Sequence, residues 1–313
     1  MNDATTQELG REVRQVLVGL GLNRQPGWNF PGNFLQISFD ELGGDHARIS
    51  IDAGPHCEDA DGQVNLAPFS VLADIALAST MRGHLGRAIR MATVAMTLQL
   101  TGAPRRGRLQ ADGHYDGPVA GVPGERQGLA RAEIRNGDGE LVCTASGTFM
   151  ALHTHELEPV PLRRRGDGHA AEPLPVDELS DEEKIVYERA CACAGPGEGA
   201  FIERFWSLQP QRDAEGASCE FVNGPHAGNR VGHTQGGLTF GLAAVTGQAA
   251  LGPDWALVGI SAWYLRPGTG PMLRARAQIL HRGNHTGVVR VVVSDLEGRS
   301  VLEAVTHHSR LRQ

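Results

Sequence analysis

The stretch from Asn229 to Ala244, NRVGHTQGGLTFGLAA, holds two adjacent glycines, Gly236 and Gly237, between a polar run and an apolar segment free of proline until Pro253. A chain that turns on glycines and then enters a buried helix leaves its first N–H groups without intrahelical acceptors. Those donors sit at the positive end of the helix dipole and suit a polarised carbonyl or a developing oxyanion. Asn229 and Gln235 can donate and accept around the same turn, and His233 lies two residues before Gln235. A carboxylate, Asp74, stands inside the apolar run Val71-Leu72-Ala73-Asp74-Ile75-Ala76-Leu77. An acid so surrounded is at least partly buried, and such an acid has a partner or a task. It could act as general base on water or attack an acyl carbon directly. Thr93, on the strand that follows, is a candidate partner for Asp74 or for that water.

Other chemistries find no support in the spacing. There is no Gly-X-Ser-X-Gly elbow and no glycine-rich phosphate loop ending in Lys-Ser/Thr. No His, Cys and carboxylate set has metal-ligand spacing, so no metal is expected. The 5 cysteines show no paired disulfide framework, and reduced thiols of a cytoplasmic protein are the expectation. His307-His308 fall in the last strand, where pairing or exposure accounts for them.

The elements that must position these residues come from a repeat. Gly54-Pro55-His56 recurs as Gly224-Pro225-His226, a shift of 170 that also places Leu72-Ala73 on Leu242-Ala243. Gly128–Gly139 lines up with Gly287–Gly298 at a shift of 159, which makes the connection after the second helix the shorter one. Each half reads as one long helix followed by strands: Pro68–His84, then 92–100, 108–115, 128–135 and 141–152; and Gly237–Leu251, then 258–265, 272–280, 286–294 and 300–309. Earlier strands are expected at 35–39, 47–51 and 218–222. His56 and His226 are equivalent by the repeat, which points to a role in the fold.

This order and these residues resemble the hot-dog fold, specifically acyl-CoA thioesterases of the phenylacetyl-CoA thioesterase type. The pattern of that family is an Asn, then His-Gly-Gly or similar, then Leu-Ala-Asp one to two turns into the helix. Asn229, Gln235-Gly236-Gly237 and Leu242-Ala243 match it, with Gln for His and Ala244 for the Asp. Leu72-Ala73-Asp74 match it in the first half, where Asn65-Leu66-Ala67 replace the glycine turn. The resemblance implies an α+β chain of two tandem hot-dog domains, each an antiparallel sheet wrapped around a central helix, forming a pseudo-dimer. The expected domains are 1–153 and 181–313, with a linker at 154–180. It also implies hydrolysis of an acyl-CoA, or another acyl thioester, to a carboxylic acid and free coenzyme A. No cofactor is needed beyond the coenzyme A of the substrate, and a homodimer of double hot dogs is compatible with it. The losses are complementary, so Asp74 and Gly236-Gly237 would complete one site across the interface while the mirror-related site is dead. A hot-dog hydratase or dehydratase, which would pair a His with a helical acid, and a non-catalytic acyl-thioester binder are the alternatives.

A chain of 313 residues with 41% hydrophobic and 21% charged residues reads as globular. Its net charge of −7 argues against nucleic acid as a partner, and no apolar run reaches a membrane span. Residues 5–20 read as an amphipathic helix, with Val13, Val16, Leu17 and Leu20 on one face, and Trp28–Phe34 as a loop. Arg163-Arg164-Arg165 in the linker, and Arg105 and Arg106 at a turn between strands, are candidates for coenzyme A phosphates or solvated charge.

Overall fold

The computed structural model describes residues 10–24, 30–121, 126–152, 159, 162–164 and 172–311. Helix α1 (Arg11–Asn23) and a short α2 (Phe30–Phe34) lead into β1 (Ser38–Gly43) and β2 (His46–Asp52). A long helix α3 (Leu66–Leu85) follows, then β3 (Arg90–Leu100), β4 (Arg108–Pro118), β5 (Gln127–Arg135) and β6 (Leu141–Leu152). The order then returns: α4 (Asp181–Ala194), α5 (Phe201–Phe205), β7 (Gln211–Arg212), β8 (Gly216–Val222), α6 (Gly236–Leu251), β9 (Trp255–Tyr264), β10 (Met272–Arg282), β11 (Thr286–Asp295) and β12 (Ser300–Arg310).

Among the described residues twelve strands form one antiparallel sheet in the order β1-β2-β4-β5-β6-β3-β9-β12-β11-β10-β8-β7. Strands such as β5 alternate buried and exposed residues along their length, as a sheet covered on one face requires. The order is palindromic about the β3–β9 pair. At that seam Thr97 lies opposite Ser261, their hydroxyls 3.0 Å apart. Thr97 and Ser261 are therefore equivalent, which gives the strands a shift of 164. The loss of 11 residues between the shifts of 170 and 159 is thus divided. Six fall at the helix and its exit, and five in the β10–β11 turn. The sequence assigned them to one connection.

Helices α3 and α6 are apolar on every side because each is covered by strands and by the other helix. They cross at two glycines. A Cβ on Gly237 would stand 2.5 Å from Ser70 O and 2.7 Å from Val71 Cα, and one on Gly241 would stand 2.7 Å from Ala67 Cβ. Asn65 caps α3 by accepting from Ala67 N at 3.0 Å, and Gln235 caps α6 by accepting from Leu238 N at 2.8 Å. Both helices start earlier than the proline or the second glycine suggested.

The amphipathic face of α1 is buried as its pattern requires, on Val13, Val16, Leu17 and Leu20. Residues 5–9 lie outside the described residues. The expected loop at 28–34 is corrected: Phe30–Phe34 is a fully buried helical turn, stabilised by stacking of Phe30 on Phe34 and by Phe205 and Trp206 against Phe34. Trp28 lies outside the described residues. The first strand runs from Ser38, not from Leu35. His56 packs edge-on against Phe34, and His226 against Phe205. Burial lowers their pKa values to about 4 and about 3, so both rings are neutral parts of the core.

The helix crossing yields a stability test. Gly241→Ala forces a methyl into Ala67 with no flexible side chain to give way, and overpacking of this kind costs about 1–3 kcal/mol. Urea unfolding should show that loss. A Gly241→Ala variant as stable as the parent would mean that the helices are free to separate.

Candidate functional site

Asp74 is 5% exposed in the third turn of α3, where the two central helices meet. Its carboxylate takes three hydrogen bonds. Thr93 Oγ1, on β3, donates to Oδ1 at 2.9 Å. Gln235 Nε2 and the Gly237 N–H, both from the second half, donate to Oδ2 at 2.8 and 3.2 Å. Burial raises the Asp74 pKa above its ordinary 3.8, against the opposing pull of Thr93, Arg82, Gly237 and Gln235. Oδ1 carries one donor and keeps a lone pair for a proton.

The first turn of α6 divides its donors. Leu238 N–H is taken by the Gln235 side chain, and Gly237 N–H by Asp74. Gly236 N–H has no acceptor among the described residues. Its carbonyl accepts from Tyr264 Oη at 2.9 Å, which fixes the peptide plane whose N–H reaches Asp74. The Tyr264 pKa is raised well above 10 by burial and by Asp74, so its hydroxyl stays protonated. A Cβ on Gly236 would face the site, 3.2 Å from Thr93 Oγ1 and 3.4 Å from Asp74 Oδ2. Gly237 is bare for a different reason than the sequence suggested: the α3 backbone lies against it, and its N–H is spent on Asp74.

These groups open onto a cavity of about 440 Å³ lined by both halves, with Phe39, Met91, Phe149 and Leu265 among its apolar walls. His233 lines it, its pKa lowered by burial and by Arg90. Asn229 lines it too, but its Oδ1 closes the loop by accepting from Val231 N and His233 N, both at 3.0 Å. Asp59 does the same for Asp61 N and Gln63 N at the equivalent place in the first half. Arg105 and Arg106 are not brought to this cavity. Arg105 Nε donates to Val64 O and Arg106 Nη2 to Asp61 O, so both stabilise the first-half loop. Arg105 O pairs with Val64 N as Gly268 O pairs with Thr234 N, which puts Arg105 where the second half has a bare glycine. In the linker, Arg163 Nη2 donates to Asn33 Oδ1, and Arg165 lies outside the described residues.

The equivalent place in the mirror half is apolar. By the repeat, Ala244 stands for Asp74, Leu66 and Ala67 for the glycines, Leu257 for Thr93 and Leu100 for Tyr264. Sequence reasoning missed Tyr264, Arg82 and Arg230. Arg82 carried a signal, standing eight residues beyond Asp74 and so on the same helix face; Tyr264 carried none, since its reach to Gly236 comes from the packing of β9 against α6. Sequence spacing also failed to reveal a surface group in which His46, Asp112 and His114 each bring a ligand atom within 4.8 Å of the others. There Asp112 is already neutralised by two hydrogen bonds from Arg48.

Residues 227–302 match the family model of the Thioesterase superfamily. No curated protein matches the chain by sequence. Among solved structures, a putative oleoyl thioesterase from Lactobacillus plantarum is similar at a TM-score of 0.53 and 11% identity, over 86% of this chain and 98% of that one. A conserved protein with a hot dog fold from Alicyclobacillus acidocaldarius gives 0.53 and 12%, over 88% and 96%. A 12:0-ACP thioesterase from Umbellularia californica gives 0.51 and 12%, over 84% and 93%. The resemblance to hot-dog thioesterases read from the sequence holds: the fold is theirs, and the second half carries the superfamily's sequence pattern. Among the described residues no helix is long and apolar enough to cross a membrane.

The raised pKa of Asp74 makes a prediction about stability. The folded state holds this proton more tightly than the unfolded chain, so the stability it contributes is full below pH 3.8 and is lost as pH rises through the raised value. Toward neutral pH the buried carboxyl therefore costs stability relative to acid. An Asn at this position can accept from Gln235 and Gly237 and donate to Thr93. Asp74→Asn should therefore melt at the same or a higher temperature than the parent at neutral pH, with any gain shrinking in acid. A Tm several degrees lower at neutral pH would show that the carboxylate stabilises the fold.

Proposed function

We propose that the chain is a tandem pair of hot dogs, at about 1–153 and 181–313, that hydrolyses an acyl thioester to a carboxylic acid and a free thiol at one composite site. The observation that carries this reading is a buried carboxylate of one half bound to the first turn of the other half's helix, beside an N–H with no acceptor and an apolar cavity. The thioester carbonyl lies against Gly236 N–H, and the acyl chain runs into the cavity. Asp74 Oδ1 takes a proton from water as the oxygen attacks the carbonyl carbon. The resulting oxyanion is stabilised by Gly236 N–H and the positive end of α6. Collapse breaks the C–S bond, and the proton on Asp74 passes to the leaving thiolate.

General-base action fits better than direct attack. Three donors spread the carboxylate's charge and hold it in place, which weakens it as a nucleophile but leaves a lone pair on Oδ1 for a proton. Thr93, Gln235 and Tyr264 position the base and the peptide of Gly236. Asn229 shapes the loop, and His233 lines the path to the site. The exposed Arg87 and Arg266 at the cavity mouth suit the phosphates of a carrier such as coenzyme A. Their position replaces the expectation placed on Arg105 and Arg106.

Two proline and alanine variants isolate the oxyanion donor. Gly236→Ala and Gly236→Pro add the same Cβ, but only proline removes the N–H, at a first helical position that accepts it. Gln235, at φ −61° and ψ 137°, already has the backbone that precedes proline. Thiol release from acyl-CoA should fall about 10²–10³-fold further in the proline variant than in the alanine variant, and Asp74→Asn should abolish it. Equal rates for the two Gly236 variants would remove that N–H from the mechanism. The acid limb of kcat/KM should also lie above the range of an ordinary Asp, because burial raises this carboxyl.

A further inference from the structure

Two histidines and a carboxylate meet on the outer face of the sheet, away from the cavity. His46 on β2 lies directly opposite His114 on β4, and Asp112 stands two residues before His114 on the same face. The residues between them point the other way: Ala47 is buried, and a Cβ on Gly113 would meet Thr80 of α3. None of the three lines the cavity. The two imidazole rings have centroids 4.9 Å apart. His46 Nε2 is 2.7 Å and His114 Nε2 3.2 Å from one oxygen, Asp112 Oδ1, and the three ligand atoms lie within 4.8 Å of one another. A tetrahedral zinc with bonds of about 2.0–2.1 Å sets its ligand atoms about 3.3 Å apart. Small side-chain rotations would let all three share one ion.

The surrounding groups orient this set. Arg48 donates to Asp112 at 2.9 and 2.8 Å, but both bonds land on Oδ2. They fix the carboxylate plane and leave Oδ1 to the histidines. Glu41 Oε2 is 3.5 Å from Arg48 Nη1, and its Oε1 is 3.4 Å from His46 Nδ1. The group thus sets two carboxylates against one guanidinium. The charged neighbours on β5 are paired elsewhere, Arg131 with Asp116 and Glu133 with Arg135. A neutral imidazole has one N–H, which can serve Glu41 or Asp112 but not both. With an ion on Nε2 that proton belongs on Nδ1, facing Glu41, the carboxylate–histidine–metal arrangement of many metal sites. The fold does not require these residues. By strand register the second half has Gly216, Gln278, Arg276 and Gln211 in place of His46, His114, Asp112 and Glu41. We propose that His46 Nε2, His114 Nε2 and Asp112 Oδ1 bind one divalent transition-metal ion of the zinc class, with Glu41 and Arg48 as positioning residues. Two imidazoles and one carboxylate suit Zn²⁺ and discriminate against Mg²⁺ and Ca²⁺, which take oxygen ligands. The ion would tie β2 to β4, one strand in from the β1 edge of the sheet.

Calorimetric titration of the metal-free full chain with Zn²⁺ tests this, comparing wild type with a His46→Ala/His114→Ala double variant. Wild type should bind one more ion per chain than the variant, and excess Mg²⁺ should not displace it. Zn²⁺ should raise the Tm of wild type more than that of the variant, because an ion held only by the folded chain stabilises it. His114→Gln, at the exposed ring, supplies the same comparison where the double variant does not fold. Glu41→Gln should weaken the site about 10–100-fold, and unchanged affinity overturns the role given to Glu41. Co²⁺ in place of Zn²⁺ should give the visible bands of a tetrahedral nitrogen and oxygen site, absent from the variant. Equal stoichiometry in wild type and a folded variant overturns the proposal. So does displacement by Mg²⁺, because carboxylates alone would then hold the ion. Thiolate-to-cobalt charge transfer in the difference between wild type and variant overturns it too, since the ligands would be cysteines.

Discussion

The contact on which the rest of the structure depends is the bridge from Asp74 to the first turn of α6. A carboxylate buried without partners would simply take up a proton. Here two of its three donors belong to the other half of the chain, so the acid is held in place only when the halves are correctly assembled. That demand explains features far from the site. The β3–β9 seam makes one continuous sheet, so the halves cannot slide past each other. The crossing at Gly237 and Gly241 lets the helix backbones approach closely enough for a main-chain N–H to reach a side chain of the neighbouring helix. Rigid elements on both sides hold the geometry that a loop would blur.

The two halves are built alike but carry different residues at equivalent positions. Asn65 and Gln235 show it at one position. Both cap a helix by accepting from a first-turn N–H. Gln235 has one more methylene, and that extra reach carries its amide nitrogen to Asp74 while its oxygen still caps the helix. A Gln at position 65 would have only Ala244 to meet. The mirror side has accordingly become packing: Leu66, Ala67, Leu100 and Leu257 fill it, and Arg105 stabilises the loop that in the other half borders the cavity.

The pairing of Asp74 with Gly236 and Gly237 was legible because losses in a repeat are readable without coordinates: what one half lacks, the other keeps. The long helices were legible because apolar runs bounded by glycine and proline leave few alternatives. The roles within the site were less so. The sequence shows that α6 begins with bare N–H groups but not which acceptors surround them, so Gly237 looked like an oxyanion donor when it serves the carboxylate. Tyr264 could not be read, since its reach to Gly236 depends on how β9 packs against α6. Arg105 and Arg106 were misplaced because a turn between strands can face either end of the sheet. Phe30–Phe34 looked like a loop from its Pro and Gly, and became a helical turn because Phe205 and Trp206 from the other half bury it.

The division of the α6 donors has a further consequence for how the site works. A helix start offers several N–H groups in a small space, and left alone they would compete for the same oxygen. Gln235 removes Leu238 N–H by capping it, and Asp74 removes Gly237 N–H by accepting it. Tyr264 holds the Gly236 carbonyl and with it the Gly237 N–H, and among the described residues the Gly236 N–H is the one left in that turn without an acceptor. Removal of the neighbours thus selects the donor as much as its own position does. Asp74 is tied in the same way to the glycine in front of it: a side chain at position 236 would crowd Thr93 Oγ1 and touch the carboxylate that Thr93 holds. Asp74, Gln235 and Gly236 form one unit on one side of the repeat, while on the other Ala244 stands in place of the acid and Asn65 keeps only the capping role.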